Sequence, residues 1–313
     1  MKTFHRHYLS LSRFALAALL IAAAGSTLHA GLVATDGSVT RSMDAGGTDG
    51  NPAEYILGIT QGYSKTLTGN TIVGENNPYN SLTLQSGAMI NSGPVTLGWS
   101  AGSDYNTVTV TGASSWAFSD GSLNLGNAAS HNRMTVEDGS TIESFDIRIN
   151  VSSTASDNHL TINGLGSQAT TTRIYLGMEA GTTGSSITLE NGGLLKLTES
   201  GVWGLSVGEE NYLKFDGGYF AWAGEKDASW FGSFLDSGSF LYKMGNEWMT
   251  VDSAHLALRY FATDADGLAA IGIDGLGGYT VIDAIPEPGS FALLGVAAAG
   301  LALRRRFKGG KAA

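Results

Sequence analysis

Six short segments recur along this chain at a nearly fixed interval, and that recurrence restricts the fold more than any other feature. They are NSLTLQSG from Asn80, NTVTVTG from Asn106, NRMTVEDG from Asn132, NHLTING from Asn158, SSITLENG from Ser185 and NYLKFDGG from Asn211, spaced 26, 26, 26, 27 and 26 residues apart. Within each segment apolar and polar residues alternate with the period of two that marks a strand. Leu82, Val108, Met134, Leu160, Ile187 and Leu213 fall in one expected inward column, and Leu84, Val110, Val136, Ile162, Leu189 and Phe215 in a second. Between them stand Thr83, Thr109, Thr135, Thr161, Thr188 and Lys214. Threonine is β-branched and polar, which suits a strand position facing solvent.

A second strand recurs in each interval, as TIVG at 71–74, TLG at 96–98, LNLG at 123–126, IRIN at 147–150, IYLG at 174–177 and LSVG at 205–208. Asn150 stands where the other units have glycine, and asparagine is the next best residue for a left-handed backbone. Units of about 26 residues, with two or three strands and 44 glycines across 313 residues to make corners, predict an all-β fold. The architecture expected is a parallel β-helix or solenoid, with coils spaced by roughly 4.8 Å so that six make a rod about 29 Å long. An antiparallel sandwich also has regular short strands, but identical apolar columns favour stacking. The repeats look like the passenger repeats of autotransporter-type surface proteins, a likeness that implies shape alone. Solenoid ends need covering. Residues 31–70 are expected to cap one end of the repeats at 71–217, and the aromatic-rich stretch 218–284 the other.

The two ends of the chain read as addresses. Lys2, Arg6 and Arg13 surround or precede the apolar run FALAALLIAAA at 14–24, and GSTLHA then leads to Gly31. This is the pattern of a secretory signal peptide over residues 1–30, its apolar core too short for a spanning helix, with Ala30 at the expected cut. A cut after Ala24 is the alternative, because Leu28 is bulky for its position. Export machinery and signal peptidase are the partners implied. At the other end, residues 285–313 read IPEPGSFALLGVAAAGLALRRRFKGGKAA. Phe291 to Leu303 carries no charge, which predicts a short hydrophobic helix below the roughly 20 residues needed to cross a bilayer comfortably. Arg304, Arg305 and Arg306 follow at once, and such basic flanks stay on the cytoplasmic side.

Pro286, Glu287 and Pro288, the short apolar run and the arginine cluster together resemble the PEP-CTERM sorting signal of Gram-negative bacteria. The resemblance covers about 29 residues. It implies recognition by a membrane-embedded exosortase, transient anchoring in the inner membrane, and a destination at the cell surface or in the extracellular matrix, where exopolysaccharide is an expected partner. An ordinary anchor that is never cut is the alternative reading of the same residues.

Eight of the 18 basic residues lie at 1–30 and 289–313, so residues 31–288 keep ten against all 28 acidic ones. That surface repels nucleic acid and anionic membranes. Cysteine is absent, which removes disulfides and thiolate chemistry. Many parallel β-helix proteins cleave acidic polysaccharides, a chemistry that needs paired carboxylates on stacked coils. The column five residues into each unit reads Gln85, Thr111, Glu137, Asn163, Glu190 and Asp216, with Glu190 and Asp216 on adjacent coils and no Lys or Arg among the six. His131, His159 and His255 show no metal-binding spacing. We therefore expect no catalytic, metal or cofactor site, and a non-enzymatic structural or adhesive protein. A carbohydrate-binding module is the runner-up, with Trp222, Trp230 and Trp248 as candidate glycan contacts, although a core role suits the alternating stretch FDGGYFAW better. A polysaccharide lyase or hydrolase is third, and two carboxylates within reach of a basic residue in a cleft would revive it.

Overall fold

The structure is a computed structural model, and it describes residues 31–118 and 121–284. It is a parallel β-solenoid of about eight turns, each carrying up to three strands. The first ladder holds Leu32–Thr35, Ala53–Leu57, Asn80–Leu84, Thr107–Val110, Arg133–Val136, His159–Asn163, Ser186–Glu190, Tyr212–Asp216 and Phe240–Met244, all parallel. The second runs through Ser64–Leu67, Met89–Ser92, Ser115–Phe118, Leu194–Leu197 and Tyr219–Ala223, and the third through Ser42–Met43, Thr71–Val73, Val95–Leu97, Ser122–Leu125 and Leu205–Val207. The nine-residue strands Thr141–Ile149 and Gln168–Leu176 pass through both.

Register is strict because one slipped residue would turn every apolar side chain outward. Leu82 pairs with Val108, Val108 with Met134, Met134 with Leu160, and Leu160 with Ile187. Both predicted inward columns of the first ladder are buried along their whole length. The threonine column lies between them but is only half-exposed, and Thr188 is buried. Neighbouring rungs at roughly 4.8 Å shield the flanks of each side chain.

Stacking also runs further than the six repeats. Residues 31–70, expected as a cap, contribute Leu32–Thr35 and Ala53–Leu57 to the first ladder, in register with the repeats. Among the described residues, the N-terminal end of this stack is partly guarded. The Asp36 carboxylate accepts backbone N–H groups from Gly58, Ile59 and Thr60, and Lys65 on the edge strand Ser64–Leu67 donates to the Val39 carbonyl. A lysine on an edge disfavours pairing with another chain.

At the far end parallel pairing stops. Glu247–Thr250 turns back antiparallel on Phe240–Met244, while Tyr279–Ala284 lies antiparallel between Tyr219–Ala223 and Leu256–Phe261. The aromatic residues of this region continue the solenoid core. Trp222 meets Trp230, Phe231 and Phe234 at ring separations of 5.8, 5.7 and 6.1 Å, and Phe234 stacks on Phe240 at 5.5 Å. A smaller cluster of Leu194, Ala221, Phe261, Leu276 and Val281 seats the helix Asp264–Ile271 beside it.

Candidate functional site

The first polar feature inside the rod is an asparagine ladder. Asn80, Asn106, Asn132 and Asn158 are fully buried at the start of successive turns. Oδ1 of Asn106 accepts both the backbone N–H and the amide N–H of Asn80, each at 2.9 Å, and Asn132 serves Asn106 the same way at 3.0 Å. Satisfied in this way, a buried amide costs little, whereas unpaired it would be expensive. The residue before each asparagine is left-handed, with φ of 57° at Tyr79, 60° at Tyr105, 60° at His131 and 53° at Asp157. Tyr79, Tyr105 and His131 therefore stack outside the corner, at 5.0 and 4.8 Å. The signal for this ladder in the sequence is the asparagine that opens five of the six repeat units.

Titratable groups gather on the outer face of the first ladder near its closed end. His159 bonds Ser186 Oγ through Nδ1 at 2.9 Å, and burial, with Arg133 and Lys214 nearby, lowers its pKa to about 4. Lys214 lies between the rings of Trp248 at 5.4 Å and Tyr212 at 5.7 Å, and burial pulls its pKa below the ordinary lysine value. The carboxylate column ends differently from its sequence reading. Lys243, one rung beyond the six units, pairs with Asp216 at 2.5 Å, so this column does acquire a base. The hydrogen bond to Asp216 raises the Lys243 pKa, which keeps that amine protonated. Both partners are about one-third exposed, at 37% and 34%, on an outward sheet face.

The three tryptophans named from the sequence have separate fates. Trp222 is fully buried and its Nε1 donates to the Glu199 carbonyl at 2.8 Å, so it has no face for a sugar and belongs to the core. Trp230 is half-buried, edge-on to Trp222 and covered by the Lys226 amine at 4.1 Å from its ring. Trp248 is half-buried between Lys214 and Lys243, with Lys243 at 5.9 Å. His255 stacks on Tyr242 at 5.0 Å and bonds Asp252. Among the described residues no group of three or more His, Cys, Asp or Glu is arranged to hold a metal ion, and no helix is long and apolar enough to cross a membrane. Ala30, Pro286, Glu287, Pro288 and Arg304 to Arg306, with the expected signal peptide and tail helix, lie outside the described residues.

Residues 284–306 match the PEP-CTERM protein-sorting motif. The motif implies an exported protein that is held transiently at the membrane and processed by an exosortase. No curated protein and no solved structure matches the chain.

Proposed function

We propose that this chain is a non-enzymatic structural or adhesive component of the cell surface or extracellular matrix. The observation that carries the reading is a sorting motif placed directly after a solenoid rod, since Ala284 both ends the last strand and begins the motif. A solenoid of about eight turns is long for its mass and presents extended, regular faces, the geometry of a spacer or adhesive surface. A lyase or hydrolase reading draws on Glu190, Asp216 and Lys243. It is weakened because Asp216 and Lys243 neutralise each other and lie on an outward sheet face, where among the described residues no cleft joins Glu190 to them.

The test is localisation together with mass. Intact masses are measured for the protein from culture medium, from the washed cell surface and from membranes, and the medium is assayed for polysaccharide cleavage. Surface or matrix protein lacking its C-terminal segment, with no cleavage, is expected. Protein confined to the cytoplasm, or cleavage that disappears in an Asp216→Asn variant, would overturn the proposal.

A further inference from the structure

The most exposed large apolar side chain named among the described residues is Trp203, at 82%, and it sits on an insertion. In the preceding turn two residues, Thr172 and Arg173, join the second-ladder register at Thr171 to the third-ladder register at Ile174. Their partners, Leu197 and Leu205, are separated by seven residues, 198–204. The extra length forms a short 3-10 turn, Val202–Gly204, that stands out from the corner. It is braced on both sides of Val202 and Trp203. Gly201 N–H donates to Glu199 Oε1 at 2.9 Å, Gly204 N–H to the Gly201 carbonyl at 3.1 Å, the Trp222 indole to the Glu199 carbonyl and the Lys226 amine to the Ser200 carbonyl, each at 2.8 Å. A tryptophan held into water on a rigid turn is preorganised for a ligand, because little side-chain or loop entropy remains to be lost on binding.

The same corner carries a second platform. Phe145 is 47% exposed, and the Arg173 guanidinium lies over its ring at 4.8 Å. Beneath them Asp146 is fully buried, accepting from Arg173 Nε at 2.8 Å and from Arg148 Nη2 at 2.5 Å. One buried carboxylate thus fixes two guanidiniums, each side chain being about one-third exposed, at 33% for Arg173 and 34% for Arg148, while Arg148 Nε is buried without a partner. Phe145 aligns with Thr172 by register, and the turn bearing Trp203 packs against that same strand one rung further along. The two aromatic platforms are therefore about two rungs apart, roughly 10 Å along the rod.

We propose that this corner binds an extended neutral polysaccharide, with sugar rings against Trp203 and the part of Phe145 that Arg173 leaves exposed, and hydroxyls accepting from Arg148 and Arg173. Aromatic faces spaced along a rod suit a chain of rings, and guanidinium donors fixed beside them suit hydroxyl oxygens. Ten basic residues against 28 acidic ones across residues 31–288 disfavour a polyanion at long range, which selects a neutral chain. The inference extends the adhesive reading by naming the chemistry that is adhered to.

The test is affinity electrophoresis and tryptophan fluorescence of the purified full chain, with hydroxyethyl cellulose as the neutral probe and polygalacturonate as the anionic one. Binding to the neutral probe is expected, weakened about tenfold in Trp203→Ala and in Phe145→Ala and unchanged in Trp248→Ala. Because Trp203 is exposed, its alanine variant keeps the wild-type circular dichroism. No binding to the neutral probe, binding to polygalacturonate alone, or equal binding by wild type and Trp203→Ala would overturn the proposal. These outcomes need no export step, so they leave the surface localisation to be judged by its own experiment.

Discussion

Asn150 supplies the amide oxygen that Ser185 cannot. In the ladder a single asparagine Oδ1 accepts twice from the preceding turn, but at Asn158 the two donations diverge. The Asn158 amide gives to Asn150 Oδ1 at 2.7 Å, and its backbone N–H gives to Ser185 Oγ at 3.2 Å. The exchange is steric as well as polar. Gly74, Gly98, Gly126 and Gly177 occupy the position of Asn150 in other turns, and a Cβ on any of them would meet the amide of Asn106, Asn132, Asn158 or Asn211 within 2.0 to 2.5 Å. Where the ladder residue shrinks to serine, that position carries a side chain.

Asn150→Gly and Ser185→Asn are each expected to destabilise the rod, by about 1–3 kcal/mol, because the first leaves an amide short of an acceptor and the second crowds two amides into one space. The double variant rebuilds the glycine and asparagine pair of the other turns and should recover most of the loss. Urea unfolding midpoints of all four proteins measure this, and a double variant that loses the sum of the single effects would disprove the exchange.

Leu160→Asp and Thr161→Asp differ by one residue and by the whole thickness of the sheet. Leu160 is fully buried between Met134 and Ile187, so a carboxylate there is an unpaired buried charge costing several kcal/mol. Thr161 points to the outer face, and its aspartate variant should lose about 1 kcal/mol or less. Circular dichroism melts of the two variants give the answer, and equal losses would contradict the assignment of columns.

Acid should weaken the fold partly through His159. Its pKa is about 4 in the folded chain against 6.5 when unfolded, so between those values the unfolded state binds more protons and stability falls as pH drops. The contribution is fully present above pH 6.5 and gone below about 4. Asp283 acts in the opposite direction, since burial raises its pKa, and it cancels when two proteins that share it are compared. His159→Gln should therefore flatten the pH dependence of the melting temperature between 6.5 and 4 relative to wild type. Parallel curves would show that His159 is not the group responsible.

Replacing Pro286, Glu287 and Pro288 by alanine should leave export intact and hold an unprocessed form at the inner membrane. Neutralising Arg304, Arg305 and Arg306 should instead weaken retention, so that uncut protein leaks outward. Mass spectrometry of medium and membrane fractions separates the two. Release of the alanine variant with the wild-type C-terminal mass would mean that the motif does not direct processing.

The first and third ladders are legible in the sequence because their columns repeat one chemistry, aliphatic inward and threonine or glycine at fixed offsets. The second is not. Its inward column runs Ile90, Trp116, Ile142, Ala169, Leu195 and Phe220, so large and small residues offset one another across rungs and no single residue type recurs. Trp116 even carries its own polar partner, donating to Ser92 Oγ at 2.9 Å. The turn at Ala53–Leu57 escapes recognition for a related reason, since Ala53 stands where the repeats have asparagine. At the candidate site Trp222 and Trp203 exchange roles. A tryptophan in an alternating strand is drawn into the core, whereas one in VWG between glycines is carried outward by a turn that only the third dimension reveals.

Tyr279–Ala284 is the central strand of the closing sheet, bonded to Tyr219–Ala223 on one side and to Leu256–Phe261 on the other. Until it arrives those two strands have nothing between them, and it is the last strand before the sorting motif. In a chain emerging N-terminus first, the strand that closes the rod therefore comes out just before the processing signal. Any cut beyond Ala284 spares every rung, and a membrane hold there grips the closed end and leaves the first turn pointing furthest away.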